Sequence, residues 1–328
     1  MCNKTKKVPR SQTSVLLSSS SFHCSDEKGE KLVAPSKKSA LLTVACYVLF
    51  ISINEHIIRF FMNQPFVISI DPIFEDERNR LILSRHFAID AFSCLVCAVL
   101  GWKSRQYLSS SNMLTFKRND PDTNSPQALD KSLHCDFHKR LYSYNPYGHQ
   151  IMLMFFAYQV RNMYDTIVWK DGWLFVAHHI FAGASAWMAM YPDSNKHHIS
   201  LANQYAIFYF GVSEISTFVL CLLANFEPDL GVKGLEDVFP MTRIVLAGTF
   251  VVLFILCRMV LWNVITYNYL LDIGLALKRK SPAFETPSVK TNLRFFQFSL
   301  SFMTLLQVIW MWEIIVMGKE EIAMLLAK

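Results

Sequence analysis

The hydrophobic residues of this chain are gathered into long runs that are separated by polar and charged stretches. Seven such runs lie at about 40–62, 82–102, 148–169, 173–191, 199–225, 242–271 and 295–317. A helical run of about 20 apolar residues, at about 1.5 Å of rise per residue, matches the thickness of the bilayer hydrocarbon. Lipid offers backbone groups no hydrogen-bond partner, so single segments cross it as helices. The pattern therefore predicts an all-α, multi-pass transmembrane helical bundle with about seven spans.

The polar stretches divide the chain into a tail, a first span and a main bundle. Residues 1–39 are rich in Ser and Lys and have little to bury, which predicts a disordered basic tail. The run at 40–62 is the first span. We expect the bundle to occupy 83–317, with a long polar loop at 103–147 inside it and a short tail at 318–328.

Composition and charge agree with a membrane protein. Hydrophobic residues make up 52% of the chain and charged residues 18%, below the roughly 25% that is usual in soluble domains. The net charge of +6 comes from basic residues in the connections between apolar runs, so we expect no nucleic-acid partner. Lys and Arg are more frequent in the amino-terminal segment and in the loops at 103–147 and 272–294. This asymmetry predicts a cytosolic amino terminus and a lumenal carboxyl terminus.

The cysteines do not predict a metal site. Cys94 and Cys97 form a CxxC pair inside an apolar run, but no second pair accompanies them. Small thiol side chains in such runs are typical packing residues. We therefore expect neither a bound metal nor a disulfide framework.

Two adjacent histidines, His178 and His179, lie within the fourth apolar run. Polar groups inside a membrane are costly and call for an explanation. Neighbouring helix residues point about 100° apart, so one imidazole can face a central cavity while the other bonds a neighbouring helix. A histidine can serve as base, acid or nucleophile near neutral pH. The alternative is that both histidines only form hydrogen bonds between helices.

Three further charged groups lie inside apolar runs. Glu214 must be protonated or paired, and it could either orient a histidine of the preceding span or balance a buried cation. Arg258 lies too deep to reach the interface and needs a carboxylate, for which Glu214 and Asp165 are the candidates. Asp165 also has Arg161 at i−4, so these two side chains could neutralise one another.

Small residues near the histidines allow neighbouring helices to approach closely. We therefore predict that the polar groups converge on a shared cavity inside the bundle. The predicted catalytic group consists of His178, His179, Glu214 and Asp165. The predicted lining of the substrate or lipid cavity consists of Ser213, Ser216, Tyr164 and Arg258.

Taken together, these fragments resemble the TLC-domain family, which includes the ceramide synthases and the TLC-domain-containing proteins. The likeness runs from about 83 to 317. It is clearest in Ser143-Tyr-Asn-Pro-Tyr147, Tyr164-Asp165, His178-His179 and Gly211-Val-Ser-Glu-Ile-Ser-Thr217, with Arg258 in the next span. The resemblance implies a helical bundle in the endoplasmic reticulum or a related membrane that acts on lipids.

The resemblance also suggests a reaction. In ceramide synthases the paired histidines are tied to acyl transfer from coenzyme A to a sphingoid amine, and His178 and His179 match them by position. Those enzymes follow the histidine span with an HDxSD-like pair of aspartates, whereas this chain has one acid, Glu214, among serines. This pattern is closer to the TLC-domain-containing branch, where enzymatic activity is not general.

Three functions follow from these observations. The leading hypothesis is a role in lipid handling or membrane lipid homeostasis, with a lipid-binding cavity between helices. The first alternative is an acyl-CoA-dependent N-acyltransferase, which would use acyl-CoA as co-substrate. The second alternative is a sorting or cargo receptor whose soluble segments bind partners.

The expected partners are membrane lipids, without a cofactor, and both homo- and hetero-oligomers are compatible with the sequence. The resemblance and the charge distribution disagree about orientation. In ceramide synthases the connection before the histidine span is cytosolic, whereas the distribution of Lys and Arg places Lys170-Asp171 on the opposite side.

Overall fold

The computed structural model describes residues 34–110, 113–114, 140–142, 144–192, 200–227, 231–278 and 286–327. Within these ranges the regular structure is helical, without a strand. The seven long helices, numbered here α1 to α7, are Lys37–Met62, Glu77–Lys103, Pro146–Trp169, Trp173–Met190, Asn203–Phe226, Pro240–Lys278 and Pro287–Ala327. Shorter helical pieces at Pro65–Ile68, Pro72–Phe74, Gln106–Ser110 and Leu235–Val238 lie between them. The predicted all-α membrane bundle is confirmed.

Five of the long helices, namely α1, α2, α5, α6 and α7, are long and apolar enough to cross a membrane. The other two, α3 and α4, match predicted spans in position but do not meet the same criterion of length and composition. They also pack extensively against each other. The expected number of about seven spans thus corresponds to seven long helices, of which five qualify by length and composition.

Local sequence signals set the start of α3. The side-chain oxygen of Asn145 accepts hydrogen bonds from the backbone N–H groups of Tyr147 and Gly148, at 2.9 and 3.1 Å. An asparagine at the N-cap followed by proline at the first helical position is a favoured way to begin a helix. The helix therefore begins at Pro146, two residues before the predicted boundary. It ends at Lys170, which has a left-handed backbone with φ of 59°.

Two glycine contacts bring the central helices close together. A Cβ atom on Gly211 of α5 would lie 2.8 Å from the Cα atom of Gly101 on α2, and a Cβ atom on Gly148 of α3 would overlap the backbone of Asn203. Small residues permit this close helix packing in membranes. The interior of the bundle is filled by fully buried large side chains, among them Tyr205 and Phe208 of α5.

Several predicted segments lie outside the described residues. These are 1–33 and most of 103–147, so the disordered tail and the long loop stay predictions. At the other end, α7 continues as helix to Ala327, through the segment that was predicted as a short tail after residue 317.

Candidate functional site

A cavity lies between α4, α5, α6 and α7, and it also touches α3. The space between the side chains in this region is about 630 Å³, a figure that includes space open to solvent. Along α4 its wall is formed by His178, Ala182, Ser185 and Ala189, which lie on one helix face because they are spaced by three or four residues. This stripe is about 16 Å long at about 1.5 Å per residue, close to half of a hydrocarbon core that is about 30 Å thick. Most of the remaining wall is aromatic or apolar.

An ion pair forms the polar part of the cavity wall. The Arg258 guanidinium of α6 lies 3.0 Å from a carboxylate oxygen of Glu214 on α5 and donates a 2.7 Å hydrogen bond to the Thr217 hydroxyl. Its Nε lies 3.3 Å from the Ser216 hydroxyl, and the Trp262 ring lies 5.4 Å away. The carboxylate that Arg258 was expected to need is therefore Glu214. The pair brings two opposite charges into the bundle together, which lowers the cost of burying either.

Both members of this ion pair lie at π-helical turns. Arg258 is within the π-helical segment Ile255–Leu261, and Glu214 follows shortly after the segment Phe208–Val212. A π-helical turn adds a residue to the helix and so rotates the following side chains relative to a regular helix, and such turns are frequent at functional sites. A third π-helical segment, His86–Ala91 in α2, contains the buried Asp90.

The two histidines face different neighbours. His178 lines the cavity, where its ring centre is 5.6 Å from that of Trp310, and its buried Nδ1 has no hydrogen-bond partner among the described residues. His179 is buried on the α3 side, where its Nδ1 lies 2.6 Å from the side-chain oxygen of Gln159. The structure thus places one imidazole in the cavity and uses the other to join α4 to α3.

The predicted convergence of all four catalytic candidates is only partly found. His178 and Glu214 share the cavity with Arg258, but His179 and Asp165 do not line it. Asp165 instead pairs with Arg161 at 2.6 Å, and Arg161 also pairs with Glu55 of α1 at 2.7 Å. The face of α3 that carries Asp165 is therefore directed toward α1 and away from the cavity.

The predicted cavity residues also separate into two groups. Ser213 and Ser216 are buried on α5 beside the ion pair, and their hydroxyls donate to the backbone oxygens of Tyr209 and Ser213, each at 2.8 Å. Tyr164 is 63% exposed on the outer surface of α3 and does not line the cavity. The structure therefore does not place Tyr164 in the cavity that His178 and Glu214 line, because its helix face points away from the bundle.

A second charged group closes the opposite end of the cavity, and the sequence argument missed it. Tyr205 lines the cavity and donates a 2.6 Å hydrogen bond to Asp272 of α6, which also accepts bonds of 2.7 and 2.8 Å from Arg140. Burial alone would lower the pKa of Arg140, but the hydrogen bond and charge of Asp272 raise it above the ordinary arginine value. Asp272 lies one residue beyond the predicted span at 242–271, so it was not among the charges predicted to lie inside the membrane.

Comparison with known proteins gives one family match. A family model for the TLC domain matches residues 86–316, which run from the π-helical segment of α2 into α7. The match includes every residue that lines the cavity. No curated protein and no solved structure matches the chain significantly.

Proposed function

Because this chain belongs to the TLC-domain family, we propose that it is a lipid-handling membrane protein whose cavity holds one lipid chain. The observation that carries the proposal is the cavity itself, which combines a largely apolar wall with a short polar stretch. Apolar ligand sites with a few convergent polar groups are typical of specific small-molecule binding. The chain would act on membrane lipid composition, in the endoplasmic reticulum or a related membrane.

The length of the cavity wall along α4 supports a single acyl chain as ligand. The α4 stripe is about as long as one leaflet of hydrocarbon is thick, roughly 15 Å. Alanine and serine side chains on this stripe leave room that larger side chains would fill. In this arrangement the polar end of the ligand lies beside His178, Glu214 and Arg258, and its methyl end approaches Tyr205.

Analysis of co-purified lipid tests this proposal. The full chain is purified in a mild detergent, and the bound lipids are extracted and quantified by mass spectrometry. Ala182→Phe should fill the cavity and reduce the lipid retained per protein. Ile180→Phe is the matched control, since Ile180 is on the same helix but 54% exposed on the outer surface. Equal lipid retention by the wild type and Ala182→Phe would refute a cavity-bound chain.

A second candidate function is acyl transfer to an amine, and one observation favours it. His178 is a cavity imidazole whose Nδ1 has no partner among the described residues, so it is free to take a proton. In this reaction an amine nitrogen would attack the carbonyl carbon of an acyl-CoA thioester. An amide bond forms, the carbon–sulfur bond breaks, His178 accepts the proton from nitrogen and returns it to the departing sulfur.

The contacts of Glu214 bear on this second candidate. Its carboxylate is engaged by Arg258 at 3.0 Å and by the Cys94 thiol at 3.5 Å, and no hydrogen bond to His178 is present among the described residues. A general base is usually oriented by a further group, so lipid binding remains the leading proposal. The test is acyl-CoA-dependent amide formation by membranes that contain the chain. His178→Ala should abolish it, and an unchanged rate in that variant would eliminate acyl transfer by His178.

A further inference from the structure

A second group of buried charges lies on the other side of α3 from the cavity. We call it the α1–α3 polar cluster, and it consists of Glu55, Arg85, Asp90, Arg161, Asp165 and Asp171. Its members come from α1, α2, α3 and the turn that follows α3. The Glu55 helix, α1, lies before the range that matches the TLC-domain model.

This cluster contains more negative than positive charge. Arg85 pairs with Asp171 at 2.5 Å, while Arg161 pairs with Glu55 at 2.7 Å and with Asp165 at 2.6 Å. Four carboxylates thus face two guanidinium groups. The surplus is two negative charges: Glu55 and Asp165 share Arg161, and no cationic side chain of the described residues lies within ion-pair distance of Asp90.

Several buried acceptors of the cluster lack donors. Asp90 receives only a long 3.4 Å hydrogen bond from the Tyr158 hydroxyl. The Oδ2 atom of Asp165 and the Oδ1 atom of Asn162 are buried and have no hydrogen-bond partner among the described residues. Asn162 belongs to the same network, because its amide nitrogen donates to the Tyr158 hydroxyl at 3.0 Å. Buried acceptors without donors are costly, and more so inside a membrane.

We infer that the α1–α3 polar cluster binds a primary ammonium group, such as the amine of a membrane lipid. An ammonium carries one positive charge and three N–H donors, which suit the unpaired Asp90 carboxylate and the acceptors without donors. Among the described residues no three His, Cys, Asp or Glu side chains converge closely enough to hold a metal ion. An organic cation with directional donors therefore fits this arrangement better than a bare ion.

The rim of the cluster is accessible from the end of the bundle where α3 ends. The side chains of Glu55 and Asp171 are each 18% exposed. Trp173, which is 73% exposed, lies at the same end, and exposed tryptophan is typical of the membrane interface. The Nε atom of Arg85 is buried without an acceptor. A phosphate oxygen next to the amine of the lipid could accept a hydrogen bond from it.

Lipid binding by the purified full chain tests this site directly. The probes are phosphatidylethanolamine and phosphatidylcholine with identical acyl chains, offered in equal amounts and detected by native mass spectrometry. The choline nitrogen carries methyl groups in place of N–H donors, so we expect the ethanolamine lipid to be retained about tenfold better. Equal retention of the two lipids would overturn the inference and indicate that a proton neutralises Asp90. The result concerns the headgroup, so it is independent of whether the cavity holds a chain.

Matched variants test whether the preference for phosphatidylethanolamine depends on the α1–α3 polar cluster. Asp90→Asn removes the unpaired charge with little change in shape and should bring retention of the two lipids close to equal. Glu236→Gln changes a partly exposed acid that pairs with Arg243 at 3.4 Å and is not a member of the cluster, and it should keep the preference. If Asp90→Asn does not fold, Asp165→Asn tests the same site, and persistence of the preference in a folded variant of either kind refutes it.

Competition with sphinganine identifies the source of the amine. Sphinganine has a primary amine but no phosphate. Displacement of phosphatidylethanolamine by sphinganine supports a site that recognises the amine alone. Retention of the phospholipid despite sphinganine supports recognition of the amine together with its phosphate, with Arg85 as the donor.

Discussion

Glu214 and Arg258, on two different helices, form an ion pair of 3.0 Å inside the bundle. Each is less than one-tenth exposed. The π-helical segments beside them give both side chains the rotation that lets them meet. The pair is therefore a structural junction between α5 and α6 as well as the polar part of the cavity wall.

We predict that Glu214→Leu is strongly destabilising, because it leaves the Arg258 charge buried without a partner. Loss of one member of a buried ion pair costs about 3–5 kcal/mol, whereas replacement of both members by apolar residues is often neutral. The double variant Glu214→Leu/Arg258→Met should therefore recover much of the loss. Thermal unfolding in detergent measures both. A double variant that is less stable than Glu214→Leu would contradict the pairing.

A second prediction concerns the crossing of α2 and α5. Gly101→Ala should destabilise the protein or prevent its folding, because the new Cβ atom would lie 2.7 Å from the Cα atom of Gly211. Gly248→Ala is the matched control, since nothing lies within 4 Å of its Cβ position. Alanine is favoured over glycine in a helix by about 1 kcal/mol, so the control should be neutral or slightly stabilising. Thermal stability and the yield of folded protein are measured for both variants. Equal values for Gly101→Ala and Gly248→Ala would refute the close approach of α2 and α5.

A third prediction separates the roles of the two histidines. Gln159→Leu leaves the buried Nδ1 atom of His179 without its 2.6 Å partner and should cost about 1–3 kcal/mol of unfolding free energy. Removal of both partners in Gln159→Leu/His179→Leu should be less harmful than the single change. The free energies of unfolding of the single and double variants test this expectation. If Gln159→Leu has wild-type stability, the bond does not hold α3 and α4 together.

A fourth prediction concerns the charged group at the far end of the cavity. Arg140→Met removes the guanidinium that donates hydrogen bonds of 2.7 and 2.8 Å to the buried Asp272, which should cost about 3–5 kcal/mol. Asp272→Asn in the same background removes the buried negative charge and should restore part of the stability. If Arg140→Met/Asp272→Asn is no more stable than Arg140→Met, the ion pair is contradicted. The readout is again thermal unfolding of the purified protein.

The apolar runs of the sequence were sufficient to predict the helical bundle and the approximate position of its long helices. The angle between successive helix residues also predicted that His178 and His179 would have different surroundings. Because a buried arginine needs a carboxylate, Glu214 was correctly predicted as a candidate partner of Arg258. These conclusions depend only on local geometry and on the cost of charge in hydrocarbon.

Other parts of the site depend on helix rotation, which the sequence pattern does not specify. The π-helical turns that rotate Arg258 inward have no recognisable signature in the sequence. Asp165 and Tyr164 were assigned to the cavity, although α3 directs the first toward α1 and the second outward. Asp90 could have been found, since it lies inside a predicted span and the rule that drew attention to Glu214 applies to it equally.

The position of Glu55 bears on where the folded unit begins. The recognisable domain starts at residue 86, yet Glu55 pairs with Arg161, Asn54 donates a 2.8 Å hydrogen bond to the backbone oxygen of Ala88, and Ile51 is fully buried. A chain shortened to the recognisable domain would lose all three contacts and uncover the face of α3 that packs against α1. Expression, truncation and complementation work on this protein should therefore keep α1, because sequence similarity marks a smaller unit than the one that folds.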